Sequence, residues 1–287
     1  MKTSSNISEL QLLAASQWGL FSSAQAQNAG VGRTQLSRMV ADGRAENLTS
    51  GIYRFTAGET ASLADIKAAW MSIFPKETAF DRFKKETPDA IVAGRTAAYV
   101  QRIGDLYASP YTFIMQKRKQ TTRNDIKYQQ WEIDAQDIKI IEGLPVTTVE
   151  RTIADLIRLK EDPSLVDDIV SDAVRRGVPI DAERLAELLA PLAARNGYPR
   201  HDGETFTRDL IERNADYSTV VAKALESVSA LFATNEVLRK SIRKLSEIAT
   251  SSVISDGRRI SPDTRTSDFK RPCPDVFNCA CTDNTQR

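Results

Sequence analysis

Start and stop signals in the first 58 residues follow one another so closely that only short elements fit between them, and this spacing constrains the fold more than any composition does. Ser8 followed by Gln11 has the spacing of a capping box, and Leu10, Leu13 and Ala14 then recur at helical intervals. The signal returns at Ser22 and Gln25, and Gly30 supplies the left-handed residue on which a helix stops. A third helix is predicted over residues 33–42, ended by Gly43. It carries Leu36, Met39 and Val40 on one face and Arg33, Thr34, Gln35, Ser37 and Arg38 on the others. Residues 45–48 and 52–55, separated by Thr49, Ser50 and Gly51, read as a tight β-hairpin. Three helices and a hairpin in this order predict a winged helix-turn-helix whose third helix enters the major groove of DNA.

The side chains on that helix suit the task. Arg33 and Arg38 can reach phosphates or guanine edges, Gln35 has the amide geometry for adenine, and Thr34 and Ser37 offer hydroxyls to backbone oxygens. Arg44 and Arg54 flank the wing. The chain has 39 Lys and Arg against 38 Asp and Glu, a net charge of +1, so any contact with DNA has to come from local clustering. A second cluster lies at residues 116–124, where Lys117, Arg118, Lys119 and Arg123 stand without an acid. Placed on a hairpin tip between two strands, it can meet DNA phosphates beside the winged helix or an acidic protein surface. Equally, it can be a solvated loop that keeps a sheet edge from pairing.

Scarcity of thiols and imidazoles removes whole classes of chemistry. Cys273, Cys279 and Cys281 all fall in the last fifteen residues, and His201 is the single histidine. Disulfide frameworks, paired-histidine zinc motifs and most His-dependent triads are thereby excluded from the body of the chain. No catalytic residue, metal or cofactor is expected, and His201 reads as a polar loop residue. No apolar run reaches the length of a membrane span and residues 1–6 lack a signal peptide's apolar stretch, so a cytoplasmic location without membrane contact is expected.

Two blocks of sequence resemble a known family. Residues 18–26, Ala29-Gly30-Val31, the helix end from Arg38 to Gly43, and above all Gly51-Ile52-Tyr53-Arg54 are similar to the winged-helix domain of AbiEi-type antitoxins. Residues 143–156, Gly-Leu-Pro-Val-Thr-Thr-Val-Glu-Arg-Thr-Ile-Ala-Asp-Leu, are similar to that family's second block, so the resemblance runs over roughly residues 8–195. It departs from the family at Glu46 and Asn47, where a basic wing residue is expected, and at Gly32, which replaces a stronger helix cap. The resemblance implies an antitoxin that represses its own operon, binds operator DNA, and counteracts a nucleotidyltransferase-like toxin encoded beside it.

Beyond the wing the sequence changes character. A helix is predicted over 62–73 from Leu63, Ile66, Trp70 and Ile73, ended by Phe74-Pro75, and 91–99 leads into another that ends near Gly104. Segments 111–116, 127–133, 138–141 and 145–147 read as strands of a small antiparallel sheet. Thr147 and Glu150 form a further capping box, opening a helix with Val149, Ile153, Leu156 and Ile157 inside. Arg151 and Asp155, four apart on it, are expected to pair as structure. Helices follow from Asp162-Pro163 to Arg176 and from Asp181 to the breakers at 196–199, and an amphipathic stripe runs from Tyr217 to Ile248.

The expected fold class is α+β, mainly helical. Residues 1–58 would form a winged helix, 59–250 an α+β and then helical antitoxin domain, and 251–287 a disordered tail. Two copies on an inverted repeat of double-stranded operator DNA would multiply specificity. Two rivals stand beside the antitoxin: a winged-helix regulator without a toxin partner, and a metal-dependent nuclease drawing on Glu132, Asp134 and Lys139 as strand residues.

Overall fold

The computed structural model describes residues 2–57 and 63–215. Its first part holds α1 (Lys2–Ala15), β1 (Leu20–Ser22), α2 (Ser23–Asn28), α3 (Arg33–Ala41), β2 (Ala45–Thr49) and β3 (Ile52–Phe55). The second capping box is used as predicted: Gln25 N–H donates to Ser22 Oγ at 2.9 Å, and Ser22 N–H donates to Gln25 Oε1 at 2.9 Å. The first is not. Residues 2–7 contain no Gly or Pro to stop a helix, and α1 already runs through Ser8. Gly30 and Gly43 take the left-handed conformation (φ +78° and +69°) that ends α2 and α3. On α3, Leu36 and Met39 are buried, whereas Val40, expected inside with them, is 37% exposed at the margin of the apolar stripe.

The hairpin forms, and a third strand joins it, giving an antiparallel sheet of order β1-β3-β2. β1 has three residues, too few for any periodicity to announce it. Alternation along it sends Phe21 into a core with Leu10, Ala26, Val31, Leu36 and Met39. Leu20 turns the other way, joining Ile52 against Ile66 and Trp70.

The middle region contains α4 (Ala64–Ile73), α5 (Ala79–Phe83), β4 (Ala90–Val92), α6 (Gly94–Gln101), β5 (Tyr111–Met115), β6 (Ile126–Gln129), β7 (Ile138–Ile141) and β8 (Leu144–Thr147). Its sheet has the order β6-β5-β4-β8-β7 and is mixed, not the small antiparallel sheet expected: β5 and β6 are parallel, as are β4 and β8. The central strand β4 is Ala-Ile-Val buried throughout, a run that carries no alternation and reads as a helix approach. Parallel neighbours cannot share a tight hairpin. Residues 116–125 therefore form a crossover between β5 and β6, and the basic run does not sit on a hairpin tip. β6 also ends at Gln129, four residues short of the predicted strand.

Four helices complete the described chain: α7 (Val149–Arg158), α8 (Pro163–Arg175), α9 (Ala182–Leu189) and, after 3-10 turns at 190–192 and 194–196, α10 (Gly203–Asn214). Ile153, Leu156, Val166, Ile169, Leu185, Leu189, Phe206 and Leu210 meet in one core. Asp162 and Asp181 cap α8 and α9 as their positions predict. The cap of α7 is Thr148 rather than Thr147, whose hydroxyl lies 2.7 Å from Thr152 Oγ1, while Glu150 accepts from Asp181 N–H at 2.9 Å. α10, capped by Asp202, was not expected among the loop-forming residues around His201. The predicted helix start at Ser62, the stripe from Tyr217 and the tail at 251–287 lie outside the described residues.

Candidate nucleic-acid interface

The outward face of α3 presents Arg33, Thr34, Ser37 and Arg38 to solvent, with Gln35 partly covered, while Leu36 and Met39 anchor the helix from below. Gly32 stands at the N-cap and offers no side-chain acceptor, so the first turn of α3 keeps its backbone donors uncapped. The approach to α3 is pinned by Val31 N–H on the Ala26 carbonyl (2.8 Å) and Asn6 Nδ2 on the Gly30 carbonyl (3.2 Å).

A buried amide network sets the orientation of α2. Gln17 Nε2 donates to Gln25 Oε1 at 2.7 Å and to the Leu20 carbonyl at 2.9 Å. Gln25 Nε2 reaches the Glu77 carbonyl at 3.0 Å, Ala79 N–H donates to Gln17 Oε1 at 3.2 Å, and Ser22 Oγ donates to the Pro75 carbonyl. The segment after α4 is thus hydrogen-bonded to the helix that precedes α3. Sequence reasoning identified Gln25 from its local spacing but had no signal for Gln17, whose partners lie up to 62 residues away.

In the hairpin, Arg44 is exposed and pairs with Asp42 at 3.0 Å. Arg54 is only 16% exposed and is held by Glu46, the acid that stands where the family resemblance calls for a base. The two residues stand directly opposite each other on neighbouring strands, where opposite charges pair.

The crossover splits its cations by role. Lys117 and Arg118 are exposed. Lys119 Nζ donates to the Ile73 carbonyl and lies 4.2 Å from the Phe74 ring, and burial, with Arg82 nearby, lowers its pKa. Arg123 donates to Asp125 (2.9 Å), Ser72 Oγ (2.9 Å) and Thr49 Oγ1 (2.6 Å), and the hydrogen bond it gives to the Asp125 carboxylate raises its pKa. The Thr49 bond fastens the crossover to the strand β2.

The carboxylates considered for a nuclease do not assemble. Glu132 and Asp134 lie in the loop between β6 and β7, not on strands, and only Lys139 is on one. Arg184 holds Asp134 at 2.6 Å and Asp137 at 2.8 Å. Among the described residues, no group of three or more His, Cys, Asp or Glu is placed to hold a metal ion. Arg151 and Asp155 pair at 2.8 Å in the interior, as expected, with Asp137 3.6 Å from Arg151. His201 is exposed in a turn at φ +63°. No helix among the described residues is long and apolar enough to cross a membrane.

Residues 8–56 match the model of a family described as transcriptional regulator, AbiEi antitoxin, in agreement with the resemblance of the first block; the match does not reach residues 143–156. No curated protein matches the chain. Among solved structures, the chain is similar to the RV2827C protein from Mycobacterium tuberculosis, at 14% identity and a TM-score of 0.45 over 76% of this chain and 78% of that one.

Proposed function

We propose that the chain is a DNA-binding antitoxin that represses its own operon. Residues 1–58 act as a winged helix-turn-helix, α3 reads the major groove of an operator, and the hairpin lies on the adjacent backbone. The observation that carries this reading is the solvent-facing set Arg33, Thr34, Ser37 and Arg38 on α3, inside the segment that matches the regulator family. Arg33 and Arg38 supply phosphate or guanine contacts, Gln35 an adenine contact, and Thr34 and Ser37 hydroxyls to phosphates. On the wing, Arg44 faces solvent, and Arg54 must exchange Glu46 for a phosphate to take part. Lys117 and Arg118 extend the contact beyond the wing, with Lys119 and Arg123 holding that loop in place.

Two copies would occupy an inverted repeat. The remainder of the protein, from residue 59 to about residue 250, would serve as the antitoxin domain opposing a nucleotidyltransferase-like toxin, with no catalysis of its own. Fluorescence anisotropy on the upstream DNA of the gene tests the first half. Operator DNA is bound in preference to scrambled duplex, with a log-log salt slope near −4.5 for about five phosphate contacts. The double variant Arg33→Ala/Arg38→Ala loses that preference. Equal weak binding to both duplexes refutes the reading. Co-purification with the product of the neighbouring gene, and rescue of its toxicity, tests the second half.

A further inference from the structure

We infer that the helices after residue 148 enclose a binding cavity for a small organic anion with a planar apolar body. This inference is independent of the DNA-binding reading. The cavity, about 650 Å³, opens between the C-terminus of α7, the start of α8, the turn at 195–198 and α10. Its volume falls within the range that takes drug-sized ligands. One wall is apolar: Ile157, Pro163 and Val166 face the rings of Tyr198 and Phe206, which stack at 4.4 Å with an interplanar angle of 18°.

The cations on the cavity divide into committed and uncommitted. Arg213 is held by Asp167 at 2.7 Å, and the one lining carboxylate, Glu161, is gripped by Arg95, with one of its two bonds at 2.9 Å. Lys160 has no carboxylate within ion-pairing distance among the described residues, and Arg195 makes only a long 3.5 Å bond to the Ile157 carbonyl. Two cations without counter-ions among the described residues, set at the rim of an apolar wall, attract an anionic head while the wall takes a flat hydrocarbon or heterocyclic body. Burial lowers the pKa of Arg158, which does not line the cavity, and the charges of Arg151 and Arg195 add to the fall.

Lys160 occupies a position where the backbone favours another residue. After α7, Glu161 N–H bonds the Leu156 carbonyl and Lys160 N–H bonds the Ile157 carbonyl, both at 3.1 Å, which closes the helix with Lys160 left-handed at φ +58°. Glycine is the ordinary residue there. Lys160→Gly therefore deletes one cation while easing the backbone, and supplies a variant that retains the fold.

The probe is 1-anilinonaphthalene-8-sulfonate, a planar aromatic sulfonate, titrated into the full chain by fluorescence, with neutral N-phenyl-1-naphthylamine as the uncharged counterpart. Saturable binding of the sulfonate to one site is expected. Its affinity falls at least about tenfold in Lys160→Gly/Arg195→Met, about fivefold or more than for the neutral dye, two unpaired cations outweighing the apolar share of binding. A control pair that removes as much charge at exposed positions far along the chain, Lys76→Met/Lys84→Met, leaves both dyes unchanged. The melting temperature of Lys160→Gly alone should not fall below that of the parent. An unchanged sulfonate affinity in the cavity variant, or an equal loss in the control pair, overturns the inference.

Discussion

Asp155 shows how one buried side chain ties stability to pH. Burial pushes its carboxyl up to about 6 in spite of the Arg151 guanidinium 2.8 Å away, and Asp137 in the same cluster adds to the rise. Its Oδ2 and the Nη2 of Arg151 are buried without hydrogen-bond partners among the described residues. A folded pKa above the unfolded value means that the native chain holds a proton the unfolded chain has released, so this contribution is fully present below about pH 4 and is lost as pH rises through about 6. Between about pH 4.5 and about pH 7.5 the loss is about 2 kcal/mol. Asp155→Asn cannot titrate, so urea denaturation at the two pH values should show a smaller fall in stability for the variant by about that amount. Parallel falls in both proteins would mean that the carboxylate is ionised throughout. Gln25 makes a second case, because its side chain serves Ser22, Gln17 and Glu77 together. Gln25→Ala leaves those buried groups unpaired and should cost about 2–4 kcal/mol in the same assay, more than loss of a cap alone.

Between elements, α10 packs closely on α9 at Gly203. A Cβ built on Gly203 would lie 1.9 Å from the Ala186 carbonyl oxygen and 2.8 Å from Ala190 N, both backbone atoms that cannot swing aside. Gly203→Ala should therefore force the helices apart, at a cost of about 3 kcal/mol, and speed amide hydrogen exchange along α10 ahead of the rest of the core. In the sequence this glycine reads as one more breaker beside His201. The spacing of Asp202 and Thr205 marks a helix start only once a partner helix is known to lie against it. Elements announced by their own chain were legible: the Ser22 box, the glycines that end α2 and α3, and the aspartates that cap α8 and α9. Those decided by distant partners were not. β1 and β4 have three residues each and owe their existence to the strands beside them, and the parallel course of β5 and β6 is a matter of pairing that no local pattern encodes. The candidate interface divides on the same line. The exposed residues of α3 follow from helical periodicity, whereas the capture of Arg54 by Glu46 depends on cross-strand neighbours.

For the molecule as a whole, a net charge of +1 leaves no general attraction to a polyanion, so the DNA contact we propose depends on which local cations face the same duplex. The exposed pair Lys117 and Arg118 is more than sixty residues from the hairpin in sequence, yet Arg123 bonds Thr49 Oγ1 at 2.6 Å and holds their loop to β2. If that loop lies along the DNA backbone beside the hairpin, its two exposed cations displace counter-ions without reading bases. Lys117→Ala/Arg118→Ala should then weaken binding equally on operator and scrambled duplex and make the log-log salt slope shallower by about 1.8, or about 0.9 for each phosphate contact. Thr49→Val removes the hydroxyl that fastens the loop and leaves every cation in place. It should lower affinity in the same sequence-blind manner, but by less, because the loop still carries its charges and loses only their fixed position. A slope that stays the same in the double variant would turn the loop away from DNA and leave its two cations to an acidic protein surface.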